Sequence, residues 1–475
     1  MHNPVRPSKT PAVMLRGVAS WRWYAHYLRD PLDCLAALQR RLGPLCVLGS
    51  PVPLWLGGRR FIFAIGARYN REVFGQPEVF RPGGQILRGP RNSAHYRMRH
   101  GIFAMYGDQH RSHRRLMQPP LLKPAVAAYA PIMSKLIDQV IDRWRPDQPL
   151  DMYREMRTLS NWVAAHILFG SEDFAASIRL GETIERWLQL DADARSRLSL
   201  FNLPGSLFRQ VINQAQILEL AMHDTIKRKR QTQTPGSDVL SLLIEASDAN
   251  KGVISEIDLV AHAVILYAAS FETTANVLTW TLFLIAQHPE IATALHDEIT
   301  ERFGDRLPDS RQIDELPLLD NVLKESMRLL PPVAFTFRTP LNDVEMCGLF
   351  LRRGDKILLS HYLTHRDPDI FPEPNRFNPS RWFTIRPDPY EYLPFSAGPR
   401  LCLGISFAQL EMKLTVARVM QRFRMRVVPG SRIEGVIQLT LRPQHGVPMT
   451  VRAQDRAFRS SPITGNIHSM VDLDA

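Results

Sequence analysis

The stretch FSAGPRLCLG, Phe395–Gly404, sets a single cysteine among two glycines, a proline and an arginine, late in a chain of 475 residues. The chain beyond it is regular. In LGISFAQLEMKLTVARVMQRF the residues Ala408, Met412, Val416, Val419, Met420 and Phe423 recur at helical spacing, so Cys402 precedes or begins a buried helix. Unpaired N–H groups and the helix dipole at such a terminus favour an anion. The cysteine is therefore disposed to be a thiolate, the form that binds metal or acts as a nucleophile. Gly398 and Gly404 let backbone approach something flat and bulky, and Arg400 is placed to pair with carboxylates on it. The implied object is haem. Taken alone, Cys402 reads as a buried cysteine before an ordinary helix, because free cysteine is among the most buried residue types. The surrounding pattern overturns that reading.

Beyond this loop, a hydrophobic content of 45% over the whole length supplies a large core and excludes a disordered chain. The four cysteines, Cys34, Cys46, Cys347 and Cys402, form no C-x-x-C pair and no ladder of short spacings. Neither a disulfide framework nor a structural zinc site is implied, and a reducing, cytoplasmic home is. The N-terminal run MHNPVRPSKTPAVMLRGVASWRWYAHYL is broken by prolines and arginines, so no signal peptide or transmembrane anchor is expected there. The longest apolar stretch, Leu259–Ala286, is long enough to cross a bilayer, but Glu272 stands near its centre, where an ionised carboxylate is expensive. It reads instead as a core helix buried on nearly all sides, opened by a Ser255/Asp258 capping box and closed at Pro289, roughly 45–50 Å long.

Helical periodicity dominates, with strand-like runs at Pro53–Gly66, Glu345–His361 and Phe423–Gly430. The expected fold is mainly α with a small β-sheet portion. No repeat period is present, and the division is an N-terminal extension over 1–30, a single domain over 31–452 and a polar tail of little structure over 453–475.

With these elements in place, the chain resembles the cytochrome P-450 family of haem-thiolate monooxygenases. Their haem-binding signature F-x-x-G-x-R-x-C-x-G is matched at every fixed position, by Phe395, Gly398, Arg400, Cys402 and Gly404. ESMR, Glu325–Arg328, resembles the family's E-x-x-R, and FPEPNRFNPSRW, Phe371–Trp382, is similar to its P-E-R-F segment, with Asn375 in place of the acid. The resemblance runs from about Pro31 to Pro448. It implies the family's triangular helical prism, with haem b between the long helix and the cysteine loop and Cys402 as the iron ligand. Glu325 and Arg328, three apart on one helical face, are expected to form a structural triad with Arg376 that braces that loop.

ASFET, Ala269–Thr273, resembles the family's oxygen-activation motif, with Ser270 where glycine is usual. Glu272 and Thr273 are thereby assigned to proton delivery. Ser270 is expected to bond back to the carbonyl of Leu266, and Thr273 to that of Ala269. His110 and Arg114, four apart in GDQHRSHRRLM, resemble propionate partners, as does Arg338, and with Arg400 they complete the cationic set. By position in the family pattern Ile265, Ala268, Ala269, Val333, Ala334 and Phe335 face an apolar pocket, beneath a lid at Leu198–Phe208. Fatty acid, terpenoid, steroid and polyketide all fit such a lining.

The net charge of +12 raises the question of nucleic acid. A protein partner is favoured. Only 73 residues lie beyond Cys402 and the N-terminal region lacks a plausible flavin or iron–sulfur domain, so electrons are expected from outside, through a ferredoxin or flavodoxin with its NAD(P)H-dependent reductase. Such small acidic proteins would be steered by a basic face. Two function classes remain: a monooxygenase that inserts one oxygen atom from O2 into a lipophilic molecule by hydroxylation or epoxidation, or a haem-thiolate sensor or carrier without turnover. Glu272 and Thr273 favour the first, because a sensor has no need of an acid and an alcohol there. A peroxide-using or isomerising enzyme is the nearer alternative.

Overall fold

The computed structural model describes residues 13–50, 58–83, 89–193, 196, 202–231, 237–250 and 252–473. The expected strand residues 53–57 and lid residues 198–201 lie outside this set. Chain segments gather into two compact units, the first from Met1–Gln85, Ala334–Pro372 and Pro387–Leu401, the second from Ile86–Val333, Glu373–Arg386 and Cys402–Ala475.

The first unit is built on a six-stranded sheet. Its strands lie in the order Val13–Leu15, Leu45–Leu48, Phe61–Ala64, Lys356–Ser360, Phe335–Pro340, Phe80–Gly83. Phe61–Ala64 runs parallel to Lys356–Ser360, with Ile62 opposite Ile357, and antiparallel to Leu45–Leu48. Alternation sends Val47, Ile62, Ile357 and Leu359 into one apolar cluster with Val73, Phe74 and Phe80. The strand-like run Glu345–His361 divides between a hairpin, Val344–Met346 with Leu349–Leu351, and the next strand of the sheet.

The residues on either side of position 30 are joined by strand pairing and by a shared cap. Val13–Leu15 pairs parallel to Cys46–Leu48, and Asp30 accepts a bond from the Asp33 backbone N–H at 3.1 Å, capping the helix Pro31–Leu42 while closing the helix Val18–Arg29. Asp30 thus ends one helix and caps the next.

The second unit is helical around the long helix Glu256–Gln287, about 48 Å by its rise per residue. Both capping-box bonds form, Asp258 N–H to Ser255 Oγ at 3.1 Å and Ser255 N–H to Asp258 Oδ2 at 3.2 Å, and Pro289 opens the next helix. The helix packs against Met152–Phe169 and Ile405–Arg422. Among the described residues no helix is long and apolar enough to cross a membrane. Phe423–Val427 pairs antiparallel with Pro448–Ala453, which pairs in turn with Pro149–Asp151.

The segment after residue 453 makes packing contacts of its own. Ile467 and Val471 are buried, Ser461 Oγ donates to the carbonyl of Val427 at 2.7 Å, and Asp472 N–H donates to the carbonyl of Asn375 at 3.0 Å. Ile463, Ile467, Met470 and Val471, dispersed among polar residues, are enough to fasten the segment.

Candidate functional site

In the second unit Cys402 lies three residues before the helix Ile405–Arg422, which Gly404 caps. Its side chain is exposed, yet protein crowds it closely enough that burial is the chief influence on its thiol and raises the pKa. The Gly404 amide and the Arg114 guanidinium pull the other way, towards thiolate, but burial outweighs them. The helix terminus alone therefore does not ionise the cysteine. A cation bonded to the sulfur would, since a metal-coordinating thiol is deprotonated outright.

The helix Gly107–Met117 carries the two expected cations. His110 is buried and Arg114 half-buried. Burial lowers the Arg114 pKa, with Cys402 opposing that shift, and among the described residues no carboxylate pairs with Arg114; Asp108 is engaged by Arg111 on the same helix.

The first unit holds a comparable arrangement. Arg338 is buried, lies over the Phe74 ring at 4.8 Å and donates to the carbonyl of Phe337 at 2.9 Å. Burial, and then the like charge of Arg400, push its pKa down to about 10. Among the described residues no carboxylate answers it. A buried cation beside a second cation is costly unless an anion joins them. Gly398 has φ +65°, and a Cβ there would stand 2.8 Å from the Phe74 carbonyl oxygen, so the turn Gly398–Arg400 excludes any larger residue at that point.

The long helix has one accessible face. Between Leu259 and Gln287 every residue is buried except Ile265, Leu266, Ala268, Ala269, Ser270, Glu272 and Thr273. The spacing is that of a stripe. Thr273 Oγ1 donates to the carbonyl of Ala269 at 3.0 Å, as expected. Ser270 Oγ donates to Tyr267, three residues back and at 2.7 Å, rather than to Leu266. Glu272 does not bond to Thr273. Its Oε1 accepts from Thr440 Oγ1 at 2.7 Å, and Asn276 Nδ2 in turn donates to Thr440 Oγ1 at 2.9 Å. Burial raises the Glu272 pKa, while the Thr440 bond and the charge of Arg157 oppose the rise. Thr440 escaped the sequence reading because it stands 168 positions away; a lone hydroxyl in the apolar run VIQLTL was its sole trace.

The pocket set divides. Val333 is half-buried at the end of its segment of the second unit. Ala334 is buried in the first, its carbonyl accepting from Tyr362 N–H at 3.0 Å, and the Phe335 ring packs on Tyr27 and Phe337 in the aromatic cluster of the sheet.

The expected triad needs one change of partner. Glu325 and Arg328 are fully buried and joined by bonds of 2.9 and 3.0 Å. The third member is Arg381, whose Nε donates to Glu325 Oε1 at 2.9 Å, and Trp382 Nε1 donates to Oε2 at 2.8 Å. Arg376 turns its guanidinium to Glu373 at 3.1 Å, on the surface, and lends only its carbonyl to Arg328. The reason is in the sequence. The pattern P-x-R-aromatic occurs twice, as Pro374–Phe377 and Pro379–Trp382, five residues apart, and folding selects the second.

The family model for cytochrome P450 matches residues 23–447. The chain belongs to the cytochrome P450 family. It is 30% identical over 424 residues to cyclooctatin synthase of Streptomyces melanosporofaciens, covering 87% of this chain and 89% of that protein. It is 29% identical over 415 residues to cyclooctat-9-en-7-ol 5-monooxygenase of the same organism, covering 85% and 87%. Among solved structures, retinoic acid-bound cyanobacterial CYP120A1 matches with a TM-score of 0.78 at 26% identity, covering 89% of this chain and 94% of that one. The P450 fold, with its helical bulk and small sheets, is thereby shown, as is a cytochrome P450 oxidoreductase of the monooxygenase kind. Family membership implies a haem-thiolate cofactor, a lipophilic substrate and a redox partner.

Proposed function

We propose that this P450 holds haem b through Cys402 and oxygenates a hydrocarbon-rich small molecule with electrons from a separate ferredoxin or flavodoxin and its NAD(P)H-dependent reductase. The observation that carries the reading is the accessible, enclosed thiol of Cys402, with the Gly404 amide and the unanswered Arg114 cation beside it. Bound haem supplies the iron chemistry that activates dioxygen and transfers one oxygen atom to a C–H bond or alkene. Cys402 supplies a negative sulfur. Arg114 and His110 in the second unit, and Arg338 and Arg400 in the first, offer donors to carboxylates, with positive charge on the arginines. Gly398 keeps side chains out of the turn Gly398–Arg400, and Phe395 adds an apolar ring. Ala269 leaves the accessible stripe without bulk, and Ile265 and Ala268 make it apolar.

Proton handling falls to Glu272 and Thr273. Thr273 spends its hydroxyl proton on Ala269, leaving its oxygen lone pairs to receive a proton from elsewhere. Burial inclines Glu272 to hold a proton more tightly than an ordinary carboxyl, and Thr440 fixes the orientation of one of its oxygens. Relatives named for cyclooctat-9-en-7-ol and bound to retinoic acid support a hydrocarbon-rich substrate, as does the apolar stripe. The net charge of +12 supports an acidic redox partner, and the four free thiols support a reducing, cytoplasmic setting.

The test is optical. The reduced carbonyl complex should absorb far to the red of a histidine-ligated haem protein, and Cys402→His should abolish that band. An unchanged spectrum in the variant rules Cys402 out. Oxygenated product formed from NAD(P)H with a surrogate ferredoxin system separates the monooxygenase from a sensor or a peroxide user.

A further inference from the structure

Two histidines with no part in that chemistry meet in the core of the second unit. His262 lies on the long helix one turn before Ile265, and His113 on the helix Gly107–Met117; both are buried. His113 Nδ1 and His262 Nε2 are 2.8 Å apart, with the rings edge to face. On the far side of His262 the backbone N–H of Ile102 donates to Nδ1 at 3.3 Å.

The bonding order assigns the protons. An amide N–H only donates, so His262 Nδ1 is bare and Nε2 carries the hydrogen that His113 Nδ1 accepts. His113 then holds its own hydrogen on Nε2, consistent with its bond to the Val253 backbone. Burial lowers the pKa of both imidazoles, that of His262 to about 4, so the pair is neutral and the relay runs one way.

A second observation points to the same place. A Cβ added at Gly101 would stand 2.2 Å from Ile265 Cδ1 and 3.1 Å from the Ala261 carbonyl oxygen. Gly101 and Ile102, both buried, thus lie flush on the long helix, next to the first residue of its accessible stripe. Closeness of this kind requires glycine, and the adjoining amide is the one that His262 holds.

We propose that His262 is a positioning residue that seats the 99–104 turn against Ile265 and so fixes the width of the substrate pocket at that wall. At Ile102 the turn is held by its backbone, through an imidazole whose orientation His113 sets. Substrates that need more room beside Ile265 than Gly101 leaves are disfavoured. The inference rests on the reading of Ile265 as a pocket residue, and its test separates the two.

Amide hydrogen exchange on the haem-loaded protein reads the seating directly. In His262→Leu, Ile102 should exchange roughly tenfold faster, as loss of one buried hydrogen bond implies, with residues 277–285 of the same helix unchanged. His262→Asn keeps an acceptor near the Nδ1 position and should restore most of the protection. Gly101→Ala leaves both histidines intact but forces the turn from Ile265, and should raise exchange in the same segment even if His262→Leu does not fold. Optical titration with imidazole and with the bulky azole clotrimazole then reads the pocket. The ratio of their affinities should shift roughly tenfold in His262→Leu and in Gly101→Ala, with imidazole alone unaffected. Unchanged Ile102 exchange in a folded His262→Leu overturns the seating, and faster exchange with an unaltered ratio overturns the role in the pocket. Should neither azole perturb the native spectrum, the haem reading fails while the exchange comparison still decides the seating.

Discussion

A carboxyl on a helix buried over most of its length is tolerated when something donates to it, and for Glu272 that donor is Thr440, itself held by Asn276. The direction of each bond fixes an expected outcome. Burial raises the Glu272 pKa and the Thr440 bond lowers it, so Thr440→Val, which removes the bond that favours carboxylate, should raise it further. Coupling, read as product per NAD(P)H across pH, should then keep its Glu272-dependent limb but move it to higher pH, and Thr440→Ser should move it back. A profile that does not shift would detach Thr440 from proton delivery. Thr273→Ala should behave differently. Its hydroxyl bonds only within its own helix, so substrate binding should stay nearly intact while electrons leak into hydrogen peroxide at every pH; unaltered coupling in that variant ends its assignment. The roles proposed for Cys402, Glu272 and Thr273 rest on short local patterns. Thr440 was not legible, since nothing local distinguishes a hydroxyl that meets a carboxyl 168 residues away from one that meets water.

Among the helices and strands, the buried cluster on the helix Pro317–Leu329 and the 3-10 turn Pro379–Phe383 shows how a correct motif was given the wrong partner. E-x-x-R specifies a carboxylate and a guanidinium on one helical face, and both are there. Which arginine completes the set depends on how the chain after Pro372 turns, and two P-x-R-aromatic segments offered the same chemistry. The structure turns that ambiguity into an expectation. Arg381→Ala strips a buried carboxylate of a partner and should cost roughly 3–5 kcal/mol. Arg376→Ala removes an exposed pair with Glu373 and should cost about 1 kcal/mol or less. Denaturant unfolding of the two variants decides it, and equal losses would restore Arg376 to the triad. The long helix was legible to both ends because its signals are local, a capping box at Ser255 and a proline at 289. The strand Phe335–Pro340 was not, because its residues read as pocket lining until their pairing with Lys356–Ser360 was in view.

Over the protein in its entirety, stability should carry the signature of one buried acid. Glu411, on the helix that begins just after Cys402, is fully buried, and burial pushes its pKa up from 4.5 to about 8. Ser160 stands near enough to favour its ionised form slightly, but both carboxyl oxygens and that hydroxyl lack hydrogen bonds of acceptable geometry among the described residues. The unfolded chain releases this proton above pH 4.5 and the folded one keeps it until about 8, so stability is full below 4.5 and declines as pH rises towards 8. Glu411→Gln should therefore gain on the native protein by roughly 3–5 kcal/mol between those limits, as read from denaturant midpoints at several pH values; parallel curves would mean that Glu411 is already ionised. The packed N-terminal strand and the fastened tail are likewise features of the complete chain, and both escaped the sequence because a few apolar residues in a polar stretch state no partner. The sheet of the first unit also bears on synthesis. Arg60, just before the strand Phe61–Ala64, bonds to Asp355, 295 residues on, and the strand that Asp355 precedes is its parallel neighbour. A ribosome adding roughly 5–20 residues per second leaves Ile62 and Phe63 waiting about 15–60 s for their partners, with an apolar edge open to other nascent chains. The yield of this P450 in a cell should then track the pace of translation and the supply of chaperones more closely than the strength of the finished fold.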